Sequence, residues 1–159
     1  MNPTTATQSS QSTHELTDSL TRLETALLSP VVSGELESWA KTVAETTQQL
    51  AHCLPEFLDN VLHPQYALIA KADAELLSRV EQLVAEDKNM LHDLETFRSQ
   101  ADQFVARAAQ VKKDEVQLAG HRQTLEQNGI ELIVRVRRQR AAADTWMAEA
   151  NYRDRGPVD

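Results

Sequence analysis

Side chains able to bind metal or shuttle protons are sparse in this 159-residue chain, which holds five histidines and one cysteine alongside 24 acidic residues. In a helical protein such groups act together only when they point into a shared interior, since bundle metal sites are built from inward-facing His and carboxylate side chains. His52 and Glu56 have the four-residue spacing that would put a metal on one helix face. At about 100° per residue, however, both fall nearly opposite the stripe Leu36, Leu50, Leu54, which predicts a solvated pair. His14 lies about 160° around the helix from Leu16 and reads as a surface residue. His63 and His92 have no partner in sequence. His121, at the edge of the last apolar stripe with Glu126 on its flank, is the best placed ligand candidate of the five.

Two further features stand above background. Asp87 occupies a seam position in an apolar helix face, where a carboxylate needs a partner, water or ligand; Arg98, Arg122, Arg138 and Arg140 are the arginines considered for that role. The run Arg135-Val136-Arg137-Arg138-Gln139-Arg140 is basic against an acidic first two thirds of the chain, a face that pairs with neighbouring acidic helices or docks an acidic partner. Cys53, being alone, excludes an intrachain disulfide, fits a reducing compartment and reads as a small buried apolar residue. No Ser-His-Asp set, Gly-rich phosphate loop, Cys-x2-Cys or His-Glu-x2-His pattern occurs, so nothing in the sequence supports catalysis and the chain is expected not to be an enzyme.

The elements that must position these residues are helices. Four glycines and five prolines leave a composition dominated by good helix formers. Residues 1–12 are expected to be a disordered leader with neither the basic nor the apolar region of a secretory signal. Ser12-Thr13-His14-Glu15 has the form of a capping box opening a first helix with Leu16, Leu20, Leu23 and Leu27 on one face, and Ser29-Pro30 ends it. Ser33-Gly34 precedes a second helix carrying Leu36, Trp39, Val43, Leu50, Leu54, Leu58 and Val61, kinked at Pro55 and closed by His63-Pro64. One or two turns follow around Tyr66 to Ala72.

Asp73 is the expected N-cap of a long third helix with the seam Leu77, Val80, Val84, Asp87, Leu91, Leu94, Arg98, Ala101, Val105 and Ala108. Continued to Met147, that helix would exceed ~110 Å with nothing long enough to cover it, so the chain must reverse. Lys112-Lys113-Asp114-Glu115 suits the reversal, with Gln127-Asn128-Gly129 as the competing site. The fourth helix carries Leu118, Leu125, Leu132, Ile133, Val136, Ala143 and Met147. The expectation is all-α: an antiparallel up-down four-helix bundle in one domain over residues 13–150, with a flexible tail at 151–159. An extended hairpin that dimerises is the other architecture. A net charge of −8 disfavours nucleic acid, and no apolar run approaches the roughly 20 residues of a membrane span. The location expected is cytoplasmic.

Three stretches resemble the bacterial hemerythrin-like four-helix bundles. Arg79-Val80-Glu81-Gln82-Leu83-Val84-Ala85-Glu86-Asp87 is similar to their R-V-x-x-L-x-x-E-H, and Leu125-Glu126-Gln127-Asn128-Gly129-Ile130-Glu131-Leu132-Ile133 to their H-R-Q-x-G-A-D-L-V. Trp39 to Leu62 takes the place of the helix carrying their H-x-x-x-E. The resemblance implies a bundle that in other members holds a di-iron centre and binds or senses dioxygen. Here Asp87 stands for one histidine, Leu125 for another, and the remaining ligand positions fall near Leu58 and Leu62. A leucine offers no electron pair, which implies a bundle without cofactor that has lost its di-iron site and acts as a binding or scaffolding module. The alternative is a functioning iron or oxygen-binding bundle using Asp87, His121, Glu126 and Glu131. The second alternative is an adaptor that docks a protein partner, or self-associates, through Arg135, Arg137, Arg138 and Arg140.

Overall fold

The computed structural model describes residues 3–110 and 115–154. Helix α1 spans Pro3–Leu28, α2 Leu36–Phe57, α3 His63–Ala72, α4 Leu77–Gln110 and α5 Ala119–Asp154. A π turn, Leu58–Leu62, joins α2 to α3 without a break, so the five pieces make four rods. Each rod packs on two neighbours in the cyclic order α1, α2, α4, α5, which is an antiparallel up-down four-helix bundle around one core. No helix among the described residues is long and apolar enough to cross a membrane.

Helix α1 starts earlier than the capping-box pattern predicts, and the residues 3–12 expected as a structureless leader are helical. Thr13 donates to the Ser9 carbonyl and Thr17 to that of Thr13, satisfying themselves one turn back. Ser12 is buried and accepts a hydrogen bond from Asn60 instead of capping. Leu16, Leu20, Leu23 and Leu27 form the buried stripe as expected, and the helix stops before Ser29-Pro30. Gly34 turns the chain into α2 with a φ of 89°, a region open to glycine. Trp39 then ties α2 to α1 by donating its indole N–H to the Ala26 carbonyl at 2.9 Å, while its ring meets Phe104 edge-on at 5.7 Å.

His63-Pro64 does not close the second rod. Pro64 would ordinarily clash with the carbonyl four residues back; the wider π turn before it makes the room, and the His63 amide bonds to the Leu58 carbonyl. The helix runs through Pro55 to Phe57, so the irregularity lies between the two prolines rather than at the first. Past the π turn, α3 packs on α5 and α4. The rod ends at Asp73, which is extended and accepts a hydrogen bond from the Glu75 amide, the N-cap expected there. Asp73 also receives Arg153 at 3.2 Å. Replacing Asp73 by Ala is expected to cost about 1 kcal/mol, read as a lower denaturant midpoint with unchanged slope.

In α4 the second row of the seam is shifted by one residue from the expected one. Val80, Asp87, Leu94, Ala101 and Ala108 are buried as predicted, but they are joined by Leu83, Met90, Phe97 and Phe104. Leu77 is exposed, and Val84, Leu91, Arg98 and Val105 are half-buried. Both readings keep the three-four alternation; burial of two phenylalanines and a methionine selects the one found. Helix α4 ends at Gln110 and the chain is described again from Glu115; Lys112, Lys113 and Asp114 of the expected reversal are outside the described residues. Gln127-Asn128-Gly129 is helical. Leu118, at the end of the 3-10 turn Glu115–Leu118, and Leu125, Leu132, Ile133, Val136 and Ala143 of α5 are buried. Helix α5 reaches Asp154, so the expected flexible tail is helical over 151–154, where Arg153 pairs with Glu149 as well as with Asp73 and Glu75. Residues 155–159 are outside the described residues.

Candidate functional site

A group of polar side chains meets in the interior where α3, past the π turn, packs on α4 and α5. Asp87 of α4 is 2% exposed. Its Oδ1 accepts from the Gln139 amide of α5 at 2.8 Å and from the Tyr66 hydroxyl of α3 at 3.2 Å. The same Gln139 nitrogen is 2.7 Å from the Leu83 carbonyl and 3.1 Å from the Tyr66 oxygen. Oδ2 of Asp87 faces Nε2 of His63 at 3.4 Å and has no hydrogen-bond partner. The other nitrogen of His63 lies 3.2 Å from Asp59, at the rim. Three helices therefore meet at one carboxylate.

Electrostatics follow from that burial. Desolvation pushes the Asp87 carboxyl above its ordinary range, and the Gln139 and Tyr66 hydrogen bonds, then His63, act against it. Burial, reinforced by the neighbouring Asp87 charge, also pushes the Tyr66 phenol up. Among the described residues, none of the arginines considered from sequence is the partner of Asp87. Gln139 takes that place, because an amide reaches into the seam without bringing a second charge to be desolvated.

The remaining candidate ligands are committed elsewhere or face outward. His121 is exposed, Glu126 pairs with Arg122 at 3.0 Å, and Glu131 is exposed and accepts from Gln127 at 3.1 Å. These three and Asp87 share no common partner. His52 and Glu56 are an exposed pair at 3.8 Å, and His14 pairs with Asp18 at the surface. His63, which has no evident partner in sequence, is the histidine placed against a buried carboxylate. Leu58, Leu62 and Leu125 are all buried in the core. Among the described residues, no group of three or more His, Cys, Asp or Glu side chains is placed to hold a metal ion. Cys53 is buried, and desolvation pushes its thiol up.

The basic run of α5 is largely engaged within the molecule. Arg135 grips Glu86 at 2.6 and 3.1 Å and also pairs with Asp93. Arg137 makes a two-pronged contact with Glu24 of α1 at 2.6 and 3.0 Å, which holds that carboxyl below its usual range. Arg140 donates to Thr17 at 3.2 Å. Arg138 is exposed and has no partner among the described residues.

Tyr66, His63 and Gln139 are the site residues that sequence reading missed. A signal for Gln139 existed: it continues the heptad of Leu118, Leu125 and Leu132, so it is a polar entry in a seam just as Asp87 is. Comparison of the chain with protein-family models, with characterised proteins and with solved structures gives no significant match.

Proposed function

We propose that this chain is a non-enzymatic helical bundle, akin to the hemerythrin-like domains but with hydrocarbon where they hold iron, that acts through its surface as a binding or scaffolding module. The observation that carries this reading is the burial of Leu58, Leu62 and Leu125 at the positions that the resemblance assigns to ligands. Thioether-free hydrocarbon has no donor atom, and the one carboxylate left in that interior already accepts from Gln139 and Tyr66. The donor set does not fit a di-iron cage. An iron-binding bundle built on Asp87, His121, Glu126 and Glu131 would need to break the Arg122 pair and draw an exposed histidine inward. Docking through the basic run is narrowed to Arg138 and its surroundings, because Arg135 and Arg137 have carboxylate partners already.

Thermal unfolding under anaerobic conditions, with excess ferrous iron in one sample and a chelator in the other, tests the reading. A metal at 100 times its dissociation constant would add about 2.7 kcal/mol and raise the midpoint by several degrees. The expected result is midpoints that agree within about 1 °C; an iron-dependent rise of several degrees would overturn it.

A further inference from the structure

Helices α4 and α5 run antiparallel in a register that sets Asp93 against Arg135, an ion pair, and Gln100 against Asn128, a hydrogen bond of 3.0 Å. One heptad further along the same seam the register brings Arg107 to His121, and both line one cavity. The first two rungs are complementary. This third rung is basic on both sides, and neither residue has a hydrogen bond or ion pair among the described residues. Arg107 stands in the last turn of α4, where the helix dipole favours a cation, and His121 stands in the opening turn of α5, where it favours an anion. Among the described residues, Glu126 is paired with Arg122, and Glu115 accepts from the Gly34 amide.

Beneath the two basic side chains the cavity, of about 190 Å3, is floored by the buried Phe104 and Leu125 and flanked by Gln103 and Thr124. We propose that this cavity binds a small amphiphilic carboxylate, with its apolar body on Phe104 and Leu125 and its carboxylate between Arg107 and His121. A guanidinium presents a planar fork that matches carboxylate geometry, and an imidazole carries at least one N–H donor in either protonation state. Inorganic anions satisfy the rung without using the floor, and neutral apolar molecules use the floor without satisfying the rung. The inference does not depend on whether the bundle interior holds metal.

NMR titration of the full chain at pH 7 with 3-phenylpropionate tests it, following the His121 ring and the Gln103 side-chain amide. The expected result is a saturable shift of both with a dissociation constant on the order of 1 mM, as befits a ligand of that size. Binding should weaken at least ~10-fold for 3-phenylpropanamide, for inorganic phosphate and for the Arg107→Gln and His121→Ala variants. Both variants change exposed side chains, and circular dichroism checks that each remains folded. Absence of saturation by about 20 mM, equal binding of the amide or of phosphate, or undiminished binding by folded Arg107→Gln protein would each overturn the proposal.

Discussion

Replacing Gln139 by Leu is expected to destabilise the protein by about 2–3 kcal/mol at pH 7 and by clearly less at pH 4. Leucine fills much of the same space, so the loss is chiefly of the donor to Asp87. The sign follows from the raised carboxyl. A group whose folded pKa exceeds its unfolded value of about 3.9 contributes stability that is present below that value and is lost as pH rises through the folded one. Gln139 is the largest of the groups holding the Asp87 carboxyl down, so removing it raises the carboxyl further and widens the loss with pH. Asp87→Asn should act oppositely. Its side-chain oxygen can still accept from Gln139 and Tyr66, but no charge is desolvated, so its stability relative to the parent should climb from pH 4 to pH 7. Urea unfolding of the three proteins at several pH values in that interval checks both; parallel profiles would show that Asp87 is not the buried titrating group. Comparing variants with the parent cancels the surface Glu24–Arg137 pair, which all three proteins share.

Gly129→Val is expected to cost about 3 kcal/mol, and Gly129→Ala about 1–2 kcal/mol. In an open helix the alanine change would instead stabilise by about 1 kcal/mol. Here a Cβ would stand 2.5 Å from a methyl of Leu27 and 2.8 Å from the Phe97 ring, both deep in the core. Glycine at 129 thus lets α1, α4 and α5 approach closely. Guanidinium unfolding reads the difference, and a more stable Gly129→Ala protein would mean that the three helices do not meet at this residue.

Gly129 also shows what sequence could and could not supply. Asn-Gly is a strong turn signal by local chemistry, so Gln127-Asn128-Gly129 competed for the chain reversal; a close contact with Leu27, distant in sequence, gives the glycine its place inside a helix. The apolar stripe of α1 is legible because its leucines recur three and four apart on one face, and that of α5 because Leu125, Leu132 and their neighbours recur by heptads. In α4 two apolar rows satisfy the same alternation, and only packing against the other rods puts Phe97 and Phe104 inside. Pro64 misled for a related reason: proline bars a regular α-turn but not a widened one.

The site was half legible. Asp87 announced itself as a carboxylate in an apolar seam, and its burial follows. Its partners did not, because Gln139 was masked by the arginines on either side and Tyr66 by a proline that seemed to end its helix. The basic run illustrates the same limit. Its charge was obvious, yet whether Arg135 and Arg137 face solvent depends on Glu86, Asp93 and Glu24 in two other helices.

The central proposal, that leucine stands where the bundles this chain resembles hold metal ligands, is tested most directly by elemental analysis of the full chain purified by size exclusion from iron-supplemented cells. The account predicts iron far below one atom per chain and no oxygen-dependent absorbance. About two irons per chain, with absorbance that changes on exposure to oxygen, would contradict it.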